Sequence, residues 1–150
     1  VPIKPENKAR YPANWKEIRA AILARAGHRC EKCGVHNGSR IVRGKGSDDA
    51  TYMIADGRVF CAETGKYLGR PRMSDYECTG DGVDIVLTIA HLDHVPENCE
   101  PENLRAWCQR CHLRYDAAHH AETARATRHA RKAIADMFDT ANQQANTEKL

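Results

Sequence analysis

AHLDHVPENCEPENLRAWCQRCH, residues 90–112, closes on a Cys-x-x-Cys pair, Cys108 and Cys111, with His112 directly after it. A second pair, Cys30 and Cys33 in CEKC, stands far upstream. Four thiolates complete a tetrahedral zinc sphere, and paired knuckles let two remote segments close one site. The spacing therefore predicts that residues near 30 meet residues near 110 around a structural Zn²⁺ with no open coordination position. His112 is left over for a different task.

The rest of the chain sets bounds on what that site can be part of. With 150 residues and 41 % apolar content, one domain with a modest core is expected, without a transmembrane span or a signal-like leader. That predicts no membrane partner and a cytoplasmic location, or a phage-encoded protein acting in the host cytoplasm. Seven cysteines are an odd number, and four are already spaced for metal, which argues against a disulfide framework. Cys61, Cys78 and Cys99 read as free thiols. A formal charge of +3 does not by itself imply nucleic-acid binding, so distribution matters more than the sum. Basic residues gather early, from Lys8 to Lys32, then at Arg40, Arg43 and Lys45, and late at Arg125, Arg128, Arg131 and Lys132.

Along the chain, residues 1–13 read as an irregular arm and residues 14–34 as a helix plus the first knuckle. Asn14 and Glu17 have capping-box spacing, Trp15, Ile18, Ile22 and Ala26 share a helical face, and Gly27 ends the helix with Arg19 or Arg25 aimed outward. Residues 35–82 are rich in Gly, Asp and Ser, broken by β-prone runs at Thr51–Ile54 and Arg58–Cys61. One or two hairpins inserted between the halves of the zinc site are expected there. Val83–His91 is the strongest strand signal, and it ends where His91, Asp93 and His94 cluster. Leu104–Trp107 suits a short return strand, and low-Gly, Ala-rich sequence from Cys111 to about Ala141 reads as one long helix or two, with residues 142–150 fraying.

This order of strand, loop, short strand, knuckle and helix, with His91, Asn103-Leu104 and Cys108-x-x-Cys111-His112 placed along it, resembles the HNH endonuclease family and its ββα-metal motif. The resemblance implies an α+β fold: a small HNH-type ββα-metal domain with four-cysteine zinc knuckles, an N-terminal helix and a long C-terminal helical segment. A single nuclease domain over 1–150 would have its ββα core at 83–120 and a C-terminal helix and tail at 121–150. It also implies metal-dependent hydrolysis of DNA phosphodiester bonds, with 5′-phosphate and 3′-hydroxyl products, in a phage or mobile-element setting.

Under that resemblance His91 is the general base that activates water, and Asn103 holds the loop and orients the imidazole or ligates the metal. His112 binds the catalytic cation, which can be Mg²⁺, Mn²⁺, Ni²⁺ or Zn²⁺. The family usually carries an Asp or His ligand just before the base, where this chain has Ala90. Asp93, joined by His94, is then the expected further ligand. A competing register makes Asp93-His94 the ligand–base pair, but the spacing from His91 to Asn103 favours His91. Arg105, Arg110 and Arg114 bracket the metal site in sequence, and Arg125, Arg128 and Lys132 share one face of the C-terminal helix, so these are the expected DNA contacts. The chain is expected to act as a monomer or homodimer. The other class of function is a non-catalytic zinc module, binding nucleic acid or protein, in which the HNH residues serve structure.

Overall fold

The computed structural model describes residues 5–147 and shows a mixed α+β protein. Two compact units divide at Leu113/Arg114. The first holds all the strands. Its chain begins with a 3-10 helix, Pro5–Arg10, then α1, Trp15–Arg25, so the arm expected to be irregular is ordered from Pro5.

Asn14 does not cap α1 through its side chain, because it has turn dihedrals (φ −90°, ψ 19°) instead of the extended ones from which a cap side chain reaches forward. Only its carbonyl is used, accepting from Glu17 N and Ile18 N. The other end matches expectation. Gly27 takes a left-handed conformation (φ 58°), with Gly27 N donating to Ala24 O and His28 N to Leu23 O, the paired bonds of a Schellman stop. Arg19 and Arg25 do not simply aim outward: Arg19 Nη2 donates to Leu87 O, and Arg25 donates to Pro101 O and Leu104 O.

Residues 35–82 hold more than hairpin decoration. A five-stranded antiparallel sheet runs in the order β4-β3-β2-β1-β5, from β1 (Arg40–Gly44), β2 (Thr51–Ile54), β3 (Val59–Cys61), β4 (Tyr67–Gly69) and β5 (Cys78–Asp84). The β-branched run Val83–His91 is not one strand. It breaks at Ile85–Val86, where the peptide groups exchange partners: Gly38 N donates to Ile85 O, Ile85 N to Ser39 O, and Leu87 N to Asn37 Oδ1. Beyond the break, β6 (Leu87–His91) pairs antiparallel with β7 (Leu104–Cys108) in a separate hairpin, from Leu87 opposite Cys108 to His91 opposite Leu104.

One core joins these pieces. Ile22 and Leu23 of α1 pack with Ile41 and Tyr52 of the larger sheet and with Leu87 and Leu104 of the hairpin, around the four knuckle cysteines. Gly65, in the β3–β4 turn, has φ 73°, and a Cβ there would press to 3.0 Å from the Cys33 backbone. An L side chain there would be strained by that φ and would have to push the Cys33 backbone aside.

A single helix, α2 (Gln109–Thr147), follows β7. It starts before Cys111 and stays helical through 142–147, where fraying was expected; residues 148–150 lie outside the described residues. Its part from Arg114 constitutes the second unit, with exposed side chains along most of its length. Among the described residues no helix is long and apolar enough to cross a membrane.

Leu87 is fully buried, so Leu87→Ala should cost about 2–5 kcal/mol of stability with the fold retained. Urea unfolding checks this, and a loss under about 1 kcal/mol would mean that the hairpin is not packed as described.

Candidate metal centre and histidine site

Cys30, Cys33, Cys108 and Cys111 come together as the spacing requires, all buried, with their sulfurs within 4.8 Å of one another. None is disulfide-bonded. The Cys33 and Cys108 sulfurs stand 3.7 Å apart. Tetrahedral thiolates at a zinc–sulfur length of about 2.3 Å would be separated by about 3.8 Å, so the cluster fits a metal ion such as zinc. Without a cation, thiols this close share protons unevenly. Bonds from Cys111 and Cys33 draw Cys108 down to about 6, whereas the Cys108 contact pushes Cys33 and Cys111 up. A dication bound to all four sulfurs would remove that conflict by displacing every proton.

The knuckle is anchored by bonds that sequence reading missed. Glu31, inside CEKC, brings its N–H to Ala106 O (2.9 Å) and receives Ala106 N on its carboxylate (2.6 Å). The first knuckle thus pairs with β7. Arg25 reaches the same carboxylate at 2.9 Å, tying α1 to the knuckle and, through Leu104 O, to β7. On the other side Tyr52 Oη donates to Cys33 O at 2.9 Å. Glu31 lies between two cysteines, and that placement was the only signal.

The hairpin and the opening turn of α2 carry the histidines. His112 Nδ1 is 2.7 Å from Thr88 Oγ1, which is also 3.2 Å from Trp107 O. A hydroxyl has one proton and a carbonyl can only accept, so the arrangement that satisfies all three atoms has Nδ1–H donating to Thr88 and Thr88 donating to Trp107. The lone pair of His112 is then on Nε2, the nitrogen suited to a metal. Strand alternation puts Ala90 on the Thr88 face of β6.

His91 ends β6 and is buried, 8 % exposed. Burial pushes its imidazole below the usual histidine value; Asp93 partly offsets this and His112 adds to it. A neutral ring at neutral pH is the form that accepts protons. Asn103 holds the loop after β6: its Oδ1 accepts from Asp93 N, and its Nδ2 donates to Asp93 Oδ1 and Asn98 O. Asp93 also accepts from Val95 N and Asn98 Nδ2. His94 sits in this turn with φ 58°, its N–H on His91 O.

Two of the basic residues are held within the first unit. Arg105 donates to Glu102 O and Leu104 O, and Arg110 donates to Ala62 O and pairs with Glu63 at 2.8 Å, bracing β7 and α2 within the first unit. Arg114, Arg125, Arg128 and Lys132 are exposed on the second unit's helix. Comparison with protein families, curated proteins and solved structures returns no match.

Two measurements check this site. Stripping metal with a strong chelator under reducing conditions should unfold the first unit, read as lost near-ultraviolet dichroism around the buried Trp107; a chelated chain that keeps that signal would show the cluster to be dispensable. N–H donors hold the Asp93 carboxyl down to about 2, led by Val95 N, against an ordinary 3.8. A depressed carboxyl contributes stability that is present above its unfolded value and lost as pH falls through its folded one. Carboxyl NMR should therefore find Asp93 titrating near 2, with the loop intact at pH 3.5–4; a midpoint at or above 3.8 would mean that the bonds do not form.

Proposed function

We propose that this chain is a metal-dependent endonuclease of the HNH type that hydrolyses DNA phosphodiester bonds, with a structural zinc in the four-cysteine cluster. The observation that carries the reading is the placement of two imidazoles. His91 leaves the end of one hairpin strand and His112 lies in the opening turn of the helix after the other, with His112 Nδ1 fixed by Thr88. A strand pair followed by a helix, with histidines at these two places, supports a ββα-metal reading.

Hydrolysis needs an activated water and a cation beside the leaving oxygen. His91, kept neutral by burial, accepts the proton of water. His112 Nε2 is the cation's imidazole ligand, and Asp93 or His94 is its further protein donor. Mg²⁺, Mn²⁺, Ni²⁺ and Zn²⁺ suit such a mixed set. Asn103 keeps the intervening loop in register through Asp93. The cation supplies Lewis acidity at the scissile phosphate. Arg114, Arg125, Arg128 and Lys132, exposed on the helix, suit backbone phosphates and would not read bases. Such a protein works as a monomer or homodimer in a cytoplasm, its own host's or an infected one.

A second reading, a non-catalytic zinc module, is favoured by one feature: Ala90 puts a methyl group where the family's ligand would project. A plasmid-nicking assay with zinc-loaded protein and added Mg²⁺ or Mn²⁺ separates the two. The nuclease reading expects nicking that His91→Ala and His112→Ala each abolish, with His94→Ala only weakening it. Thr88→Val should cost roughly 10–100-fold by releasing His112. Folded, zinc-loaded wild-type protein that never nicks DNA would leave the module.

A further inference from the structure

Among the described residues His91 is the one buried side chain outside the aliphatic, aromatic and sulfur-containing residues, and two of the rings that cover it come from the N-terminal segment. The Trp15 ring stacks on it at 5.4 Å with planes 20° apart, and the Tyr11 ring meets it edge-on at 5.8 Å. Tyr11 and Trp15 also contact each other at 4.9 Å, so the two rings form one wall. That wall is held against the His91 loop. Arg10 grips Glu97 with both Nε (2.6 Å) and Nη2 (2.9 Å), joining the end of the 3-10 helix to the loop between β6 and β7.

The third side of the ring faces sulfur. Cys99 Sγ donates to Pro96 O at 3.3 Å, which uses its only proton, and lies 3.9 Å from His91 Nε2. A sulfur whose proton is already placed can only accept from that nitrogen. Desolvating an imidazole is unfavourable, and a leucine would fill an apolar slot without that cost. The slot is therefore built for an imidazole in one orientation.

We infer that Tyr11, Trp15 and Cys99 are positioning residues that hold His91 as its Nε2–H tautomer, leaving Nδ1 as the nitrogen that accepts the proton of water. This rests on the reading of His91 as the general base. The aromatic wall fixes the ring plane, and Cys99 sets which edge is basic. The N-terminal segment then belongs to the catalytic machinery, although it lies some 70 residues or more before the hairpin.

The tautomer can be read without DNA. Long-range ¹⁵N–¹H NMR of the zinc-loaded full chain, at a pH where His91 is neutral, should show a protonated Nε2 and a bare Nδ1. Cys99→Val should mix the two tautomers, and Cys99→Ser, which keeps an acceptor, should restore the wild-type pattern. A wild-type ring protonated at Nδ1, or a Cys99→Val ring unchanged from wild type, overturns the inference. In the nicking assay Trp15→Ala should lower kcat roughly 100-fold with KM unchanged, and Trp15→Phe should recover most of it. Wild-type kcat in Trp15→Ala also overturns the inference; if that variant fails to fold, the Cys99 pair decides alone. Absence of nicking by wild-type protein contradicts the nuclease reading and leaves the tautomer result to be judged separately.

Discussion

Four cysteine sulfurs held within 4.8 Å of one another are the constraint on which the first unit rests. They bind the segment after α1 to the end of β7 and the start of α2, segments separated by about half the chain. The loop of 74 residues between Cys33 and Cys108 (34–107) would be entropically expensive to close by weak contacts alone. A metal ion on the four thiolates would offset that cost, and the bonds of Glu31 and Arg25 to β7 fix the angle at which the knuckle arrives.

From that anchor the geometry propagates outward. β7 leaves the cluster paired to β6, and α2 begins at Gln109, between the two cysteines of the second pair. Thr88 and His112 face each other because strand register and helix phase both start at Cys108. His91 is at the far end of the same hairpin, where register alone would leave it exposed. Trp15 and Tyr11 cover it there, because α1 is tied to the knuckle by Arg25 and the 3-10 helix to the loop by Arg10. One framework thus orders the core and seats both imidazoles.

The cysteine cluster was legible in the sequence because metal ligation demands a residue type at a fixed spacing, and few other causes produce it. The β6–loop–β7–helix order was legible for a similar reason, through the β-branched run, the Pro-Asn loop and the Ala-rich tail. The break at Ile85–Val86 was not, since a continuous apolar run satisfies one strand or two, and only the change of hydrogen-bond partner to Ser39 and Asn37 separates them. The large sheet was underestimated because its strands are short and separated by Gly-rich turns, so their pairing depends on contacts that no local pattern encodes. Arg110 illustrates the limit for the site. Its place beside Cys111 suggested phosphate contact, yet its guanidinium is turned onto Ala62 O and Glu63, residues whose proximity is set by the sheet. Trp15 was assigned to a helix face correctly, but its contact with His91 depends on long-range packing.

Metal binding at the cysteines should order the two histidines in a single event. Its most direct test is a stepwise Zn²⁺ titration of the reduced, metal-free chain, followed through the ring resonances of His91 and His112. Both rings should leave their unfolded positions together and stop shifting when the cysteine cluster is saturated. Native ring positions before metal is added, or rings that move independently of cluster loading, would contradict it.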